Sequence, residues 1–567
     1  MKSLAARFCA ICFFFLLTVS AQAQTADDYN KRGLEATDKK DYDLAIAEFT
    51  RLIQLAPSDS VAYSNRGMAY GYKGDQQSAL RDLEKAIQLD SNNAMAYNNR
   101  GRSNVLLGNN DKGFDDFNRA IQLDPNLSIA YNNRGFVNYN FKKNRESAIA
   151  DYRKAIQLNA NYALAYRGLG ICYFDDGKYA DAISSFIKSI NLDATDSEAF
   201  NYRGRAYLTT KENEKAIADF TKAIALAPSE SVFYYNRGLA HNRLFKYDAA
   251  RADFDKAIDL NPKSDSYFFQ RGLANYELGN QTAAITDYTK SLELKPGQEN
   301  ALFNRGLAHF DMANYSAAVP DFTEAINLDG SDPLTFYHRG RSLSSLEKYD
   351  EAIADFSKSL ELKPGSANSF YYRGVAYVES GQYEKGLADY DKTLELVPTY
   401  NAAYKSKAWA YLYWNKGDLA YEQANAYLEL NGLKNSGGDD APYAIIIGYL
   451  GLRKSNKAAG AKAFLETWMK QVQPDAWTTS VLKYFHSELT AAQLLGLADT
   501  NGKLTEAHTY IGEIQLLAGQ RATALVHFKW SKEKGEKSFT EYVLAGAELK
   551  RLATVSTTAP KRPVRKH

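Results

Sequence analysis

A glycine, in most copies preceded by arginine, returns along this chain at a spacing that hardly varies. The series runs Gly33, Gly67, Gly101, Gly135, Gly170, Gly204, Gly238, Gly272, Gly306, Gly340 and Gly374, and Ala408 continues it. Every step is 34 residues except one of 35, where Lys142-Lys143-Asn144-Arg145-Glu146 holds an additional residue. Such a period points to stacked copies of one supersecondary unit rather than one compact core. Each copy buries an apolar face that a single copy would leave open.

Other positions travel with this glycine. Four residues before it stands an aromatic, as in Tyr63, Tyr97, Tyr131, Tyr166, Tyr234 and Phe268. Twelve after it a small residue recurs (Ala45, Ala79, Gly113, Ala182, Ala216), and sixteen after it a ring (Phe49, Phe117, Phe186, Phe220, Phe254, Phe322, Phe356). Proline often closes the unit, at Pro57, Pro125, Pro228, Pro262, Pro296, Pro364 and Pro398. Small residues let two helices approach, the rings fill the space between them, and proline ends the second helix. The pattern resembles the tetratricopeptide repeat, in twelve copies over residues 24–432. The resemblance implies an all-α fold, a right-handed α-solenoid superhelix of helix pairs whose first helices line a concave groove.

The residue directly before the glycine departs from that family, where an aliphatic side chain is usual. Ten repeats carry arginine there, including Arg66, Arg237 and Arg305, and the same ten carry an acid on the second helix, including Asp82, Asp253 and Asp321. The two exceptions lose both partners together: Leu169 goes with Ser185, and Lys407 with Gln423. This joint loss predicts a ladder of structural ion pairs at the helix–helix seam, since an unpaired buried guanidinium would cost several kcal/mol. The other reading leaves these arginines free for anionic ligands.

Two residues before the glycine lie Asn65, Asn99, Asn133, Asn236 and Asn304. Their amides can pair with any peptide backbone, a spacing that resembles the asparagine ladder of O-linked N-acetylglucosamine transferase, although Gly168 and Tyr202 interrupt it. The plainer reading is a polar choice on a wet face. Three residues before the glycine, the early repeats are polar (Asn30, Ser64, Asn98, Asn132, Arg167, Asn201) and five later ones aromatic: Tyr235, Phe269, Phe303, Tyr337 and Tyr371. These rings are either peptide-binding anchors or packing against the neighbouring first helix. The lysine that the family's carboxylate clamp needs at this position occurs only at Lys405, so that clamp is not expected.

The two ends read differently. Lys2 and Arg7, the apolar run Phe8 to Ala21 and the small-x-small site Ala21-Gln22-Ala23 predict a signal peptide over 1–23, with no lipid-attachment cysteine. The chain is thus expected to be exported, periplasmic or secreted, with no transmembrane segment once the leader is removed. Only Cys172 would then remain, which permits no intrachain disulfide and no cysteine-based zinc cluster. After Gly432 the strict period stops. Residues 433–442 read as a loop, 443–552 as degenerate helical units ending in a capping helix, and 553–567 as a disordered basic tail. Asp475-Ala476-Trp477 through Tyr484-Phe485, Glu506-Ala507-His508 through Gly512, and His527-Phe528-Lys529 resemble the C-terminal half of the NlpI lipoproteins. That resemblance implies an envelope adaptor whose partners are proteases or peptidoglycan hydrolases.

Basic and acidic residues nearly cancel, 69 against 67, which argues against nucleic acid as a partner. The chain shows no HExxH, GxSxG, Walker A or GxGxxG pattern. His241 and His309 fall where other repeats place tyrosine, which suits packing better than ligation. No catalysis, cofactor or metal is expected. The sequence points to a scaffold that binds proteins or peptides, and its alternative is a periplasmic chaperone sheltering exported polypeptides.

Overall fold

The computed structural model describes residues 26–431, 440–472 and 476–557, and within them every regular element is an α-helix. The leader at 1–23, most of the loop at 433–442 and the end of the basic tail lie outside the described residues. First helices such as Ser60–Lys73, Ser231–Arg243 and Pro333–Ser345 alternate with second helices such as Gln76–Leu89, Tyr247–Leu260 and Tyr349–Leu362. Several first helices begin on an aspartate whose carboxylate accepts from the exposed amides of the first turn; Asp59 accepts from Val61 N at 2.8 Å.

The seam inside each repeat explains the invariant glycine. A Cβ on Gly238 would stand 2.6 Å from the ring of Phe254, and one on Gly170 2.6 Å from Phe186. The ring therefore occupies the place of the missing side chain, and both rings are fully buried. The turn between first and second helix needs a left-handed residue seven positions after the seam glycine. Glycine supplies it at Gly74, Gly177 and Gly381, whereas Lys211, Phe245 and Ala313 adopt it without that freedom.

The helices form two compact units, one ending at Leu278 and the other beginning at Gly279. The break expected near residue 432 divides no core. In the second unit one continuous core runs from Val378 through Trp409, Ile446 and Leu450 to Tyr510 and Leu544, so the last repeats and the C-terminal helices are packed as one body. The final helix returns to the last repeat: Arg551 donates to Tyr413 O at 2.9 Å, and the Tyr413 hydroxyl donates to Thr540 O at 3.1 Å.

Two boundaries differ from the sequence reading. Residues 440–442, expected to be loop, open the helix Asp440–Lys454, because Pro442 sits in the first turn, where its missing N–H costs nothing. Residues 553–557, expected to be tail, continue the helix Thr540–Thr557, since no glycine or proline interrupts them. Among the described residues no helix is long and apolar enough to cross a membrane.

Candidate functional site

The seam arginines are fully engaged in holding helices together. Arg66 donates through Nε and Nη2 to both carboxylate oxygens of Asp82, at 2.7 and 2.8 Å, and through Nη1 to Thr50 Oγ1 of the preceding repeat, at 3.1 Å. Arg237 does the same with Asp253 and Thr221, and Arg305 with Asp321 and Thr289. Each guanidinium thus clasps its own repeat and the one before it. The three carboxylates are buried, and the hydrogen bond to Asp82 raises the pKa of Arg66 despite its burial. Where the pair is lost, Leu169 and Ser185 are both buried, and Lys407 Nζ reaches back to Asp391 at 2.5 Å. Guanidinia bonded along both edges are not waiting for anionic ligands.

The amide and ring positions on the first helices turn out to be partners. The residue three before the glycine in one repeat meets the residue two before it in the next. Asn65 donates to Asn30 at 3.0 Å, Asn133 to Asn98 at 3.0 Å and Asn236 to Asn201 at 2.8 Å. Asn99 and Asn236 are buried, and Asn304 instead donates to its own helix at Asn300 O. At Asn65, Asn133 and Asn236 the open ladder is therefore replaced by amide links between repeats. An amide already bonded to another amide has less to offer a peptide backbone.

The aromatic series makes the same link by ring contact. Phe303 lies 5.9 Å from its own seam ring Phe322 and 5.8 Å from His338 of the next repeat. Tyr337 touches Phe356 and Tyr372, and Tyr371 touches Tyr390 and Tyr400, with its hydroxyl 3.0 Å from Ser406 Oγ. Tyr235 lies tilted against Phe254 and Tyr267, at 5.9 and 4.8 Å between ring centres. These rings, and Phe269, are half-buried, so each packs on one side and remains open on another. His338 sits among Phe303, Phe310, Phe322 and Tyr337 with its pKa lowered to about 4, by burial first and by Arg341 second. Burial also lowers His241 and His309.

Sequence reasoning missed a charge cluster in the C-terminal helices. Lys454 is buried and pairs with Glu513 at 2.7 Å and with Glu548, which also meets Arg551. No repeat register marks these residues, and their spacing of 59 and 35 positions carries no signal in one dimension. Among the described residues no group of three or more His, Cys, Asp or Glu is arranged to hold a metal ion.

Profiles described as "Tetratricopeptide repeat" match residues 29–59, 60–93, 94–127, 197–230, 231–264, 265–298 and 299–332, and one described as "TPR repeat" matches 142–177 and 340–381. Together they cover more than half of the chain, and none reaches the C-terminal region that resembles the NlpI lipoproteins. No curated protein matches. Among solved structures, MamA is 30% identical, with 28% of this chain and 94% of MamA covered and a TM-score of 0.27. YrrB, described as "a TPR protein with an unusual peptide-binding site", is 24% identical over 33% of this chain and 97% of its own, at a TM-score of 0.32. The Cut9–Hcn1 hetero-tetramer structure matches over 75% of this chain and 98% of its own, at 16% identity and a TM-score of 0.36. The profile matches and the seam geometry agree, and this chain belongs to the tetratricopeptide repeat family.

Proposed function

We propose that this chain is a non-catalytic adaptor of the bacterial cell envelope that holds an extended segment of a partner protein against the first helices of its repeats. Tetratricopeptide repeat proteins in general mediate protein–protein interaction. The observation that carries the proposal is a row of apolar side chains left half-covered on those helices. In the unit that ends at Leu278, Tyr235 and Phe269 are followed one turn further on by Leu239 and Leu273, and in the unit that begins at Gly279, Phe303 and Tyr371 are followed by Leu307 and Val375; none of them is fully buried. Apolar surface kept partly open in repeat after repeat is the mark of an interaction face.

The envelope part of the reading rests on the N-terminal charge, apolar run and Ala21-Gln22-Ala23, and on the likeness of the C-terminal stretches to the NlpI lipoproteins. Envelope proteases and peptidoglycan hydrolases are the partner class that this likeness suggests. Mass spectrometry of the native protein should find Gln24 at its start, and a retained Met1 would refute export.

Capture of partners from a bacterial envelope extract tests the interaction face. Leu239→Ser with Leu307→Ser should lower capture at least tenfold while shifting the melting temperature only a few degrees. Unchanged capture would move recognition to another face. Weak capture of many unfolded chains, instead of a few partners, would favour the chaperone.

A further inference from the structure

The repeats carry a second set of arginines, one residue after the seam glycine instead of one before it. Arg102, Arg205 and Arg341 hold this place on three first helices. Unlike the seam arginines, none has a carboxylate within 4.0 Å among the described residues. Each is stacked on rings instead. Arg102 lies 4.1 Å from the centre of Tyr72, and Arg205 lies 4.9 Å from Phe174 and 5.0 Å from Tyr202. Arg341 lies 4.5 Å from Phe310, 4.7 Å from Tyr372 and 5.6 Å from Tyr337.

The chemistry of the guanidinium makes this arrangement informative. Rings cover its flat faces through cation–π contact but leave most of the N–H donors that point outward in its plane unmet, the hydrogen bond of Arg341 to the Tyr337 hydroxyl taking only one. Those donors form a fork that fits the two oxygens of a carboxylate. All three side chains are half-buried, so part of their hydration is already gone. One helical turn before two of them stands a buried polar atom with no partner, Asn99 Nδ2 before Arg102 and His338 Nδ1 before Arg341. Residues three apart share a helix face, so unmet hydrogen-bonding capacity and unpaired charge coincide there.

We infer that Arg102 and Arg205 in the first unit and Arg341 in the second are each a recognition point for an acidic side chain of a bound peptide segment, every ring-held guanidinium taking one carboxylate. The inference deepens the proposed function and rests on it. It selects an occupant by charge complementarity, an extended segment with Asp or Glu set among apolar residues. In the unit that ends at Leu278 the carboxylates answer Arg102 and Arg205 and the apolar residues answer Leu239 and Leu273, and in the unit that begins at Gly279 they answer Arg341 and Leu307. Nucleic acid fits less well. Its charges follow one another every few ångströms and call for a dense basic track, whereas these arginines stand three or four repeats apart.

The test uses the full chain and two capped octapeptides, alternating Glu-Leu and alternating Gln-Leu, with binding read by fluorescence anisotropy. The Glu peptide should bind at least tenfold more tightly, and added salt should narrow the gap. The triple variant Arg102→Gln, Arg205→Gln, Arg341→Gln should erase the difference, and Arg341→Lys alone should weaken Glu-peptide binding several-fold, because a lysine lacks the fork. Equal binding of the two peptides by the unaltered chain overturns the inference, whatever the variants do to folding. So does a preference that survives in the triple variant, or tighter arginine-dependent binding of an oligonucleotide or an anionic phosphatidylglycerol vesicle. If the triple variant still captures envelope partners as the unaltered chain does, the adaptor reading stands and only the arginine assignment fails. Loss of all capture by the unaltered chain would remove both.

Discussion

The repeats around Gly67 to Gly238 and those around Gly306 to Gly374 share one seam but join their neighbours by different chemistry. In the first group an amide hydrogen bond makes the link at three joints, Asn65 to Asn30, Asn133 to Asn98 and Asn236 to Asn201. In the second it is ring on ring, as in Phe303 with His338 and Tyr337 with Tyr372. An amide pair has a narrow angular range and leaves a polar surface, whereas ring contacts tolerate several angles and leave apolar edges open. The contact is thus free to vary, because register is already fixed by the glycine, the ring beneath it and the arginine clasp. That freedom lets one array present a polar section and an apolar one.

The largest effect should come from the seam that both groups share. Arg305→Leu should cost about 3 kcal/mol, because it strands the buried Asp321 and frees Thr289. Adding Asp321→Ser, which copies the natural exception at Leu169 and Ser185, should recover part of this in urea denaturation. Strictly additive losses would show that the two residues do not interact.

Next comes the ring link. Phe303→Ala should cost about 2–3 kcal/mol, below the value for a fully buried ring because Phe303 keeps one side open. A negligible change in the denaturation midpoint would return the rings to the role of pure ligand anchors.

The pH response should separate the groups further. His338 stays neutral in the folded chain down to about pH 4, whereas unfolded it protonates near its ordinary value of about 6.5. Its neutrality contributes stability that is complete above the unfolded value and is lost as pH falls from about 6.5 toward 4. His338→Phe should therefore gain about 2 kcal/mol relative to the natural chain between pH 7.5 and pH 4.5. Asn99, its counterpart among the amides, does not titrate, so Asn99→Ser should leave that pH slope unchanged.

The smallest effect belongs to the amide link. Asn133→Ala should cost about 1 kcal/mol, the net worth of one hydrogen bond, with no change in the pH profile. A loss matching that of Phe303→Ala would show the two links to be energetically alike and would remove the contrast.

Much of this was readable in one dimension, and what was missed has a common cause. The Arg–Asp pairs lie within one repeat, so their joint loss at Leu169 and Ser185 exposed them. The amide and ring links join position three before one glycine to position two before the next, at a separation of 35 residues. Reading each position as a separate column hid that pairing, although Asn30 with Asn65 and Asn98 with Asn133 carried it openly. The unpaired arginines were missed because Arg102, Arg205 and Arg341 occur in only three repeats and have no covarying acid. The cluster of Lys454, Glu513 and Glu548 lies where the period has already faded.

By itself the sequence determined the repeat, its helix pairs, the glycine-on-ring seam and the identity of the clasped acids, because these depend on local spacing that every copy restates. Tertiary structure alone decided which side chains meet between repeats. It set the third partner of seam arginines such as Arg66, Arg237 and Arg305, the burial of asparagines expected to be open, the rings that hold the second arginines, and the return of the last helix onto the final repeat. The physical reason is one of range. Helix periodicity ties a residue to neighbours three or four positions away, whereas a contact between stacked units depends on how two surfaces settle against each other, and sequence records that only where both partners change together.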